Sequence, residues 1–505
     1  MRYIKFITKL LCLASLFCFS SISNASSVEV LDNSLDFTYE NLSLPKNEVM
    51  GLVGANYLIN LNSGLNYGLG VYGATRGKRG GFFTGGGQLQ YQVRASKLLG
   101  FGLEGFVGGG GGGGAPQGGG LMIRGGAYFA LPVNTHLLKL GYSKVSFPNG
   151  EIESDQFYLG YNYSFKTLHI ASWSVEPIKF SSQFGEKYAM AIVPQNFSFQ
   201  TSFYFPQDNT KGVSGKEMTN RLDVIGIRYQ SHLVNSWWFD FETGGALGGG
   251  IDGFAQVFGG LSYKLPISRR LGLSAGSQLG AAGGGDVYTG GGTVAKFYTG
   301  LEFKLLNSWH LFAHLGYLTA PGGKFEATTF NVNVAKYYEG LSFSNSGVSY
   351  KNRKIYNRKF RIRSGIQSYS YYLRHSRKSP QVRNHPVTSV QLKLDSFMNE
   401  SFYFSGHAIG AMDGKAGGYA VGLVGAGYQI TNVFNAEFLF GAAGGGGIDV
   451  GHGVILEPGI NYEIPLSEQW SLEAGLGFIQ AIDGKLSSWV TSFGTSYRFG
   501  VPGVR

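Results

Sequence analysis

Apolar and polar residues alternate singly along much of this chain. In "FTGGGQLQYQV", Leu89, Tyr91 and Val93 share one face, and Gln88, Gln90 and Gln92 share the other. In "SDQFYLGYNYSF", Phe157, Leu159, Tyr161, Tyr163 and Phe165 oppose Gln156, Tyr158, Gly160, Asn162 and Ser164. A period of two marks a β-strand whose two faces meet different surroundings. About eight such segments occur in each third of the chain, by alternation and turn signals. The connections between them alternate in length. "NLNSG", "RASKL" and "PVNTH" are short, whereas "ATRGKRGG", a glycine run and "SFPNGEIES" are long. That rhythm predicts an antiparallel up-and-down meander with short turns at one end and loops at the other.

The pattern repeats. "GGGGGGGAPQGGGLMIRGGAYFALPV" (108–133) matches "GGGDVYTGGGTVAKFYTGLEFKLL" (283–306) and "GGGGIDVGHGVILEPGINYEIPL" (444–466). Each has a glycine run, a spacer, a second glycine cluster and an alternating segment. Three units follow, 34–165, 196–335 and 358–499, with connectors at 166–195 and 336–357; such repeats are recognised before any local motif is weighed. In strand six of the units, Arg124, Lys296 and Glu457 align, and Ile123, Ala295 and Leu456 lie on the opposite face. In strand five, Glu104 aligns with Glu437. Charges recur on the face that carries glycine and amides, and aromatic and aliphatic residues recur on the other. A membrane barrel has this sense, apolar outside and polar inside. Glu104, Arg124, Lys139, Lys296, Glu437 and Glu457 are therefore the candidate interior charges.

Composition supports a lipid environment. The 505 residues include 80 glycines; aromatics reach 15% and charged residues only 14%, where a soluble chain carries about 25% charge. With 38 Phe and 30 Tyr the chain does not read as disordered. The start, "MRYIKFITKLLCLASLFCFSSISNASS", has Arg2, Lys5 and Lys9, an apolar run and small residues at Ser23 and Ala25. It reads as a secretory signal, residues 1–25, cut after Ala25. Cys12 and Cys18 both lie in it, so no disulfide or cysteine metal site is expected in the mature chain. No later segment has the ~20 unbroken apolar residues of a spanning helix.

The last strand, "SWVTSFGTSYRFGVPGVR", puts Trp489, Phe493, Tyr497 and Phe499 on one face. It resembles the terminal strand of Gram-negative outer-membrane β-barrel proteins, which alternates and ends in an aromatic residue. That strand normally closes the chain; here Gly500 to Arg505 follow it. The resemblance covers the architecture of the whole mature chain and names no subfamily. It implies a place in the cell outer membrane, with its lipid and lipopolysaccharide as partners. It also implies insertion by the barrel assembly machinery, with Phe493, Tyr497 and Phe499 as the assembly signal.

Other motifs carry little chemistry. None of the glycine runs ends in the Gly-Lys-Ser/Thr of a phosphate loop. "GLSAG" around Ser274 matches a nucleophile elbow, but that motif needs a strand-to-helix turn and Ser274 sits within an alternating strand, aligned with Gly102. His310 and His314 in "WHLFAHLGY" lack the glutamate of a zinc helix. His375 and Ser376 are adjacent, and adjacent strand residues face opposite ways. No catalytic residue, metal or cofactor is expected, and the chain does not read as an enzyme. From Lys351 to Arg383 there are eleven basic residues and no acidic one, within a net charge of +11. Lys351, Arg353, Lys354, Arg358 and Lys359 are candidate contacts for anionic lipid phosphates; alternatively Arg361 and Arg363 point inward to balance Glu437, Glu457 and Glu473. Nucleic acid is not an expected partner of an exported barrel.

The expected fold is all-β: a transmembrane antiparallel up-and-down β-barrel of three internal repeats, closing as one wide barrel or as three small barrels in tandem. A single terminal signature, at the chain's end, favours one wide barrel. A wide barrel leaves an aqueous channel and an eight-stranded one fills with side chains. The functional expectation is a channel or translocation pore for solutes or a polymer, the alternative a structural or surface-binding protein with filled barrels. A lipid-modifying enzyme ranks third; a small solute or polysaccharide is a possible ligand. For the first glycine run, the middle, Gly110 to Gly112, is expected to accept Ser. Gly118 to Gly120, just before the next strand, are expected to refuse bulky residues.

Overall fold

The computed structural model describes residues 28–505 apart from 62–63, 97, 172, 174–188, 209 and 344–352. The signal segment 1–25 and Lys351 lie outside the described residues. The described residues form 24 strands. The first eight are β1 (Val28–Leu44), β2 (Glu48–Asn60), β3 (Leu65–Arg76), β4 (Phe83–Arg94), β5 (Gly100–Gly111), β6 (Met122–Val133), β7 (His136–Ser146) and β8 (Glu153–Ile170). The next are β9 (Met190–Pro206), β10 (Leu222–Val234), β11 (Trp237–Gly248), β12 (Ala255–Pro266), β13 (Leu271–Gly283), β14 (Thr293–Leu306), β15 (Trp309–Thr319) and β16 (Glu326–Phe343). The last are β17 (Ile355–Tyr369), β18 (Thr388–Phe397), β19 (Phe402–Ala411), β20 (Ala420–Gln429), β21 (Phe434–Gly444), β22 (Val454–Pro465), β23 (Trp470–Ala481) and β24 (Ser487–Val504).

Each strand pairs antiparallel with the next within its set of eight, and the eighth returns to the first. β1 and β8 pair from Val28↔Ile170 to Glu40↔Tyr158. β9 and β16 pair from Phe343↔Met190 to Ala327↔Pro206, and β17 and β24 from Ile355↔Val504 to Tyr369↔Val490. The strands thus close three eight-stranded barrels, and the expectation of one wide barrel is overturned. The argument from a single terminal signature failed because a barrel can close inside the chain. β8 carries its own aromatic row, Phe157, Tyr161, Tyr163 and Phe165, and is the last strand of the first barrel. The residues after Phe499 continue β24: Gly500 to Val504 still pair with β17.

Side chains are sorted as an inverted core. Phe157 is 75% and Leu159 62% exposed, whereas Arg124 and Arg361 are 1% and 0% exposed. Each barrel also has an apolar cluster of its own under the long loops, with Tyr72, Phe82 and Phe147 in the first, Phe254 and Phe325 in the second, and Tyr419 and Ile448 in the third. Eight strands leave room only for side chains. The interiors are thus filled by an apolar layer under the loops and charged networks beyond it.

One substitution tests the facing. Leu159→Arg should destabilise the protein by about 2–4 kcal/mol, the cost of a lipid-facing Arg near the midplane, read as a lower urea midpoint in vesicles. An unchanged midpoint would contradict the outward assignment of this face. Asn162, on the other face, donates to the Ser34 hydroxyl at 3.0 Å and to Asp36 at 3.3 Å. That face is packed rather than wet.

Candidate functional site

In the first barrel, the Arg124 guanidinium reaches Glu40 at 2.8 Å and Glu104 at 2.6 Å. The Lys139 ammonium reaches Asp36 at 2.6 Å and Glu104 at 3.1 Å, and Arg124 lies 4.7 Å over the Tyr158 ring. In the second, Arg228 pairs with Asp240 at 2.6 Å, Lys296 with Glu242 at 2.5 Å and Lys264 with Glu302 at 3.6 Å. In the third, Arg361 pairs with Asp395 at 2.7 Å and with Glu463. Arg363 pairs with Asp395 at 2.9 Å, Glu437 at 2.6 Å and Glu473 at 3.3 Å, and Lys393 pairs with Glu437. A buried ion loses its hydration, and only close opposite charges with good geometry offset that loss. Each of these ion pairs joins residues of one barrel. At one register position the charge is Arg124, Lys296 or Glu457, so its sign changes between barrels. Charged networks inside and apolar residues outside give each barrel the sense of a membrane β-barrel.

The six candidate interior charges all face inward. Among the described residues Glu457 pairs with no arginine; it accepts from the Gln367 amide at 3.4 Å and lies 3.9 Å from His407. A cavity in the third barrel, lined by Glu437, Glu457, Lys393 and Gln367 among others, has room for about one water (≈ 10 Å³). Alignment of the repeats missed the partners Arg228, Asp240, Glu242, Lys264, Asp395 and Glu463. Their signal was present: each charge falls on the polar phase of a period-two alternation, as Asp240 and Glu242 do in "WWFDFET".

The basic run divides between the two ends of the third barrel. Arg358 lies 3.7 Å over the Tyr338 ring and Lys359 pairs with Glu400 at 2.6 Å, at the end that holds the chain's last residues. Arg374, Arg377 and Lys378 lie in the β17–β18 connection at the loop end, where Arg377 donates to the Gly414 and Lys415 carbonyls. Ser274 faces into the second barrel with its hydroxyl 2.9 Å from His314 Nε2. Tyr298 and Phe312 flank that imidazole, so the pair is part of a packed interior. His310 bonds Glu302 at 2.6 Å.

The glycine runs build one loop three times. The Gly110 N–H donates to the Gly120 carbonyl at 3.2 Å, Ala282 to Gly292 at 2.8 Å and Ala443 to Gly453 at 2.9 Å. Gly118, Gly290 and Gly451 have φ of 59°, 63° and 61°. Asp286 (φ 66°) takes the place of Gly114 (64°) and Gly447 (66°). Runs of seven, three and four glycines therefore fold alike.

These loops meet between the barrels. A Cβ on Gly81 would fall 2.3 Å from the nitrogen of Gly284, one on Gly253 3.0 Å from that of Gly445, and one on Gly418 3.1 Å from that of Gly112. Within barrels, a Cβ on Gly112 would fall 2.2 Å from the Gly81 carbonyl oxygen, on Gly284 2.1 Å from Gly253, and on Gly445 1.9 Å from Gly418. Six glycines thus form a closed ring, each half-buried and each with φ in the left-handed region that favours glycine.

The expected tolerance of Gly110 to Gly112 is corrected. Their φ values are 138°, 147° and 118°, and a Cβ on Gly110 would fall 2.2 Å from the Phe83 oxygen. The strand β5 runs through Gly111, so the loop starts later than the composition suggests. Gly114 is the open position, exposed, with its nearest neighbour at 3.4 Å. Gly118 and Gly119 are closed, at 1.6 Å from the Asn149 oxygen and 2.8 Å from the Asp413 Cα. We predict that Gly114→Ser keeps heat-modifiable gel mobility and Gly110→Ser loses it; equal mobility of the two would contradict the boundary.

No protein-family model matches the sequence, and no curated protein matches it. Among solved structures, a mutant of the ferric enterobactin receptor PfeA from Pseudomonas aeruginosa, in complex with enterobactin, is similar at 10% identity, over 94% of this chain and 82% of that one, with a TM-score of 0.26. The siderophore receptor PirA from Acinetobacter baumannii is similar at 11% identity, over 94% and 81%, with a TM-score of 0.25. OpdQ from Pseudomonas aeruginosa is similar at 10%, over 94% and 98%, with a TM-score of 0.21. Scores this low transfer no function from these proteins to this chain.

Proposed function

We propose that the chain is an integral outer-membrane protein whose three barrels are filled anchors, and that its function is structural or surface-binding, carried by the loop end. The three barrels are three copies of one module in this reading, exported by the signal at 1–25 and inserted through the aromatic face of β24. The observation that carries it is the closure of each eight-stranded barrel around its own ion-pair network. A water-filled route through such an interior would separate Arg124 from Glu104 and Arg363 from Glu437, each now within 2.6 Å. The long loops of all three barrels gather at one end, around the glycine ring, and offer the surface on which a ligand would bind. The channel reading of the sequence rested on a wide barrel.

Conductance in planar bilayers separates the two readings. The purified protein should give no stepwise current. Reproducible ohmic steps that vanish on heat denaturation would return the channel reading in place of this one.

A further inference from the structure

We infer that the three barrels associate head to tail in a closed ring, one surface of each fitting a different surface of the next, so that the two connectors are dispensable once the protein has folded. The partner that fits each barrel's surface is another barrel of the same kind.

The contacts run in one sense around a ring. The β5 end and following loop of the first barrel meet β19 and the β19–β20 loop of the third. A Cβ on Gly109 would fall 2.8 Å from the Gly410 oxygen, and one on Gly119 2.8 Å from the Asp413 Cα. The equivalent part of the second barrel, at β13, meets β3 of the first: a Cβ on Gly73 would fall 3.6 Å from Ala281 Cβ, and one on Gly291 2.4 Å from Arg76 Cα. That of the third, at β21, meets β11 of the second: a Cβ on Gly245 would fall 3.2 Å from Ala442 Cβ. In each case the fifth strand of one barrel packs on the third strand of another. Such a heterologous contact leaves an unpaired surface at both ends until the ring closes, and here it closes at three.

The contact is made by backbone. The Gly80 N–H donates to the Gly290 carbonyl at 2.9 Å, and the Gly417 N–H donates to the Gly118 carbonyl at 3.0 Å. These are the same bond at two of the three junctions. The Thr293 hydroxyl adds a bond to the Thr75 carbonyl at 2.6 Å. Between apolar surfaces in lipid there is no hydrophobic drive, and small residues that admit close backbone approach supply the attraction. The glycine runs thus serve assembly between barrels.

A second layer lies at the opposite end. Leu168, Met190, Ile192, Leu341 and Val504, from all three barrels, bury one another. β24 pairs briefly with both neighbours, at Gly500↔Ile170 and at Glu339↔Val504 with Gly340↔Gly503. The barrels are therefore fastened at both ends.

The test uses the full chain, with a site-specific protease sequence inserted in each connector, at 174–188 and at 344–352, purified from membranes in mild detergent and cut. The expected result is one particle containing the three fragments in equal amounts by native mass spectrometry. Folded fragments that separate on cutting would overturn the proposal, since tethers alone would then hold them. A cut Gly81→Val/Gly253→Val variant, altered at both junctions of the second barrel, should release that barrel folded at a detergent concentration that leaves the cut parent whole. If that variant stays as associated as the parent, the ring is not the contact. Should the double variant fail to insert, Gly81→Ala/Gly253→Ala carries the same comparison, because φ values of 86° and 89° and approaches of 2.3 Å to Gly284 and 3.0 Å to Gly445 resist any Cβ.

Discussion

Arg363→Leu should unfold the third barrel and leave the other two intact. Arg363 is the common partner of Asp395, Glu437 and Glu473. Without it Glu437 keeps only Lys393, and Glu473 loses the guanidinium it pairs with. Removing one member of a buried ion pair costs about 3–5 kcal/mol, because the remaining charge stays desolvated. That is a large part of the roughly 5–15 kcal/mol of a typical domain. Hydrogen–deuterium exchange read strand by strand should show β17–β24 losing protection while β1–β16 keep it. Uniform loss over all 24 strands would mean that they form one cooperative barrel.

Gly81→Val should open the junction between the first and second barrels without unfolding either. The left-handed backbone of Gly81 would cost a valine about 1–3 kcal/mol by strain alone, and its Cβ would meet the Gly284 nitrogen. Gly87→Val is the control. Gly87 is exposed on the outside of β4 with nothing within 4 Å of a Cβ, and Val424 already stands at the equivalent place in β20. Cysteines at Thr75 and Thr293, across that junction, report it: cross-linking should slow at least tenfold in Gly81→Val and not in Gly87→Val. Equal slowing in both would remove the ring from the account.

Much of this architecture was legible in alternation. The phase of Leu89, Tyr91 and Val93 against Gln88, Gln90 and Gln92 sorted outside from inside, because in a strand the period is two and one face lines the barrel interior. The inward places of Glu104, Arg124 and Lys139 followed from that phase. Closure was not legible. Whether β8 turns back to β1 or runs on to β9 depends on pairing between strands more than a hundred residues apart, and both choices bury the same faces. The local balance of charge in each unit was the available clue, and it pointed to small barrels. The role of the glycines was hidden for a related reason. A glycine needed for a left-handed turn, one needed for close approach and one in an open loop look alike in sequence. Only recurrence across the three units, as at Gly118, Gly290 and Gly451, distinguished them, and Asp286 at the place of Gly114 and Gly447 shows that even this signal is broken at one site.

The closure of each barrel on itself is the claim on which the rest depends, and a disulfide tests it directly. The chain's two cysteines are Cys12 and Cys18, both in the segment read as a signal; with both replaced by Ser, engineered pairs report without background. Phe37 and Tyr161 are partners on β1 and β8, and both point outward. Directly opposed antiparallel residues lie about 4.5–5.5 Å apart at Cα, within the reach of a disulfide. Phe37→Cys/Tyr161→Cys should therefore cross-link in the membrane on mild oxidation, and Phe37→Cys/Phe493→Cys, which would join the first strand to the last, should not. Cross-linking of the second pair with none of the first would show one 24-stranded barrel and contradict the account.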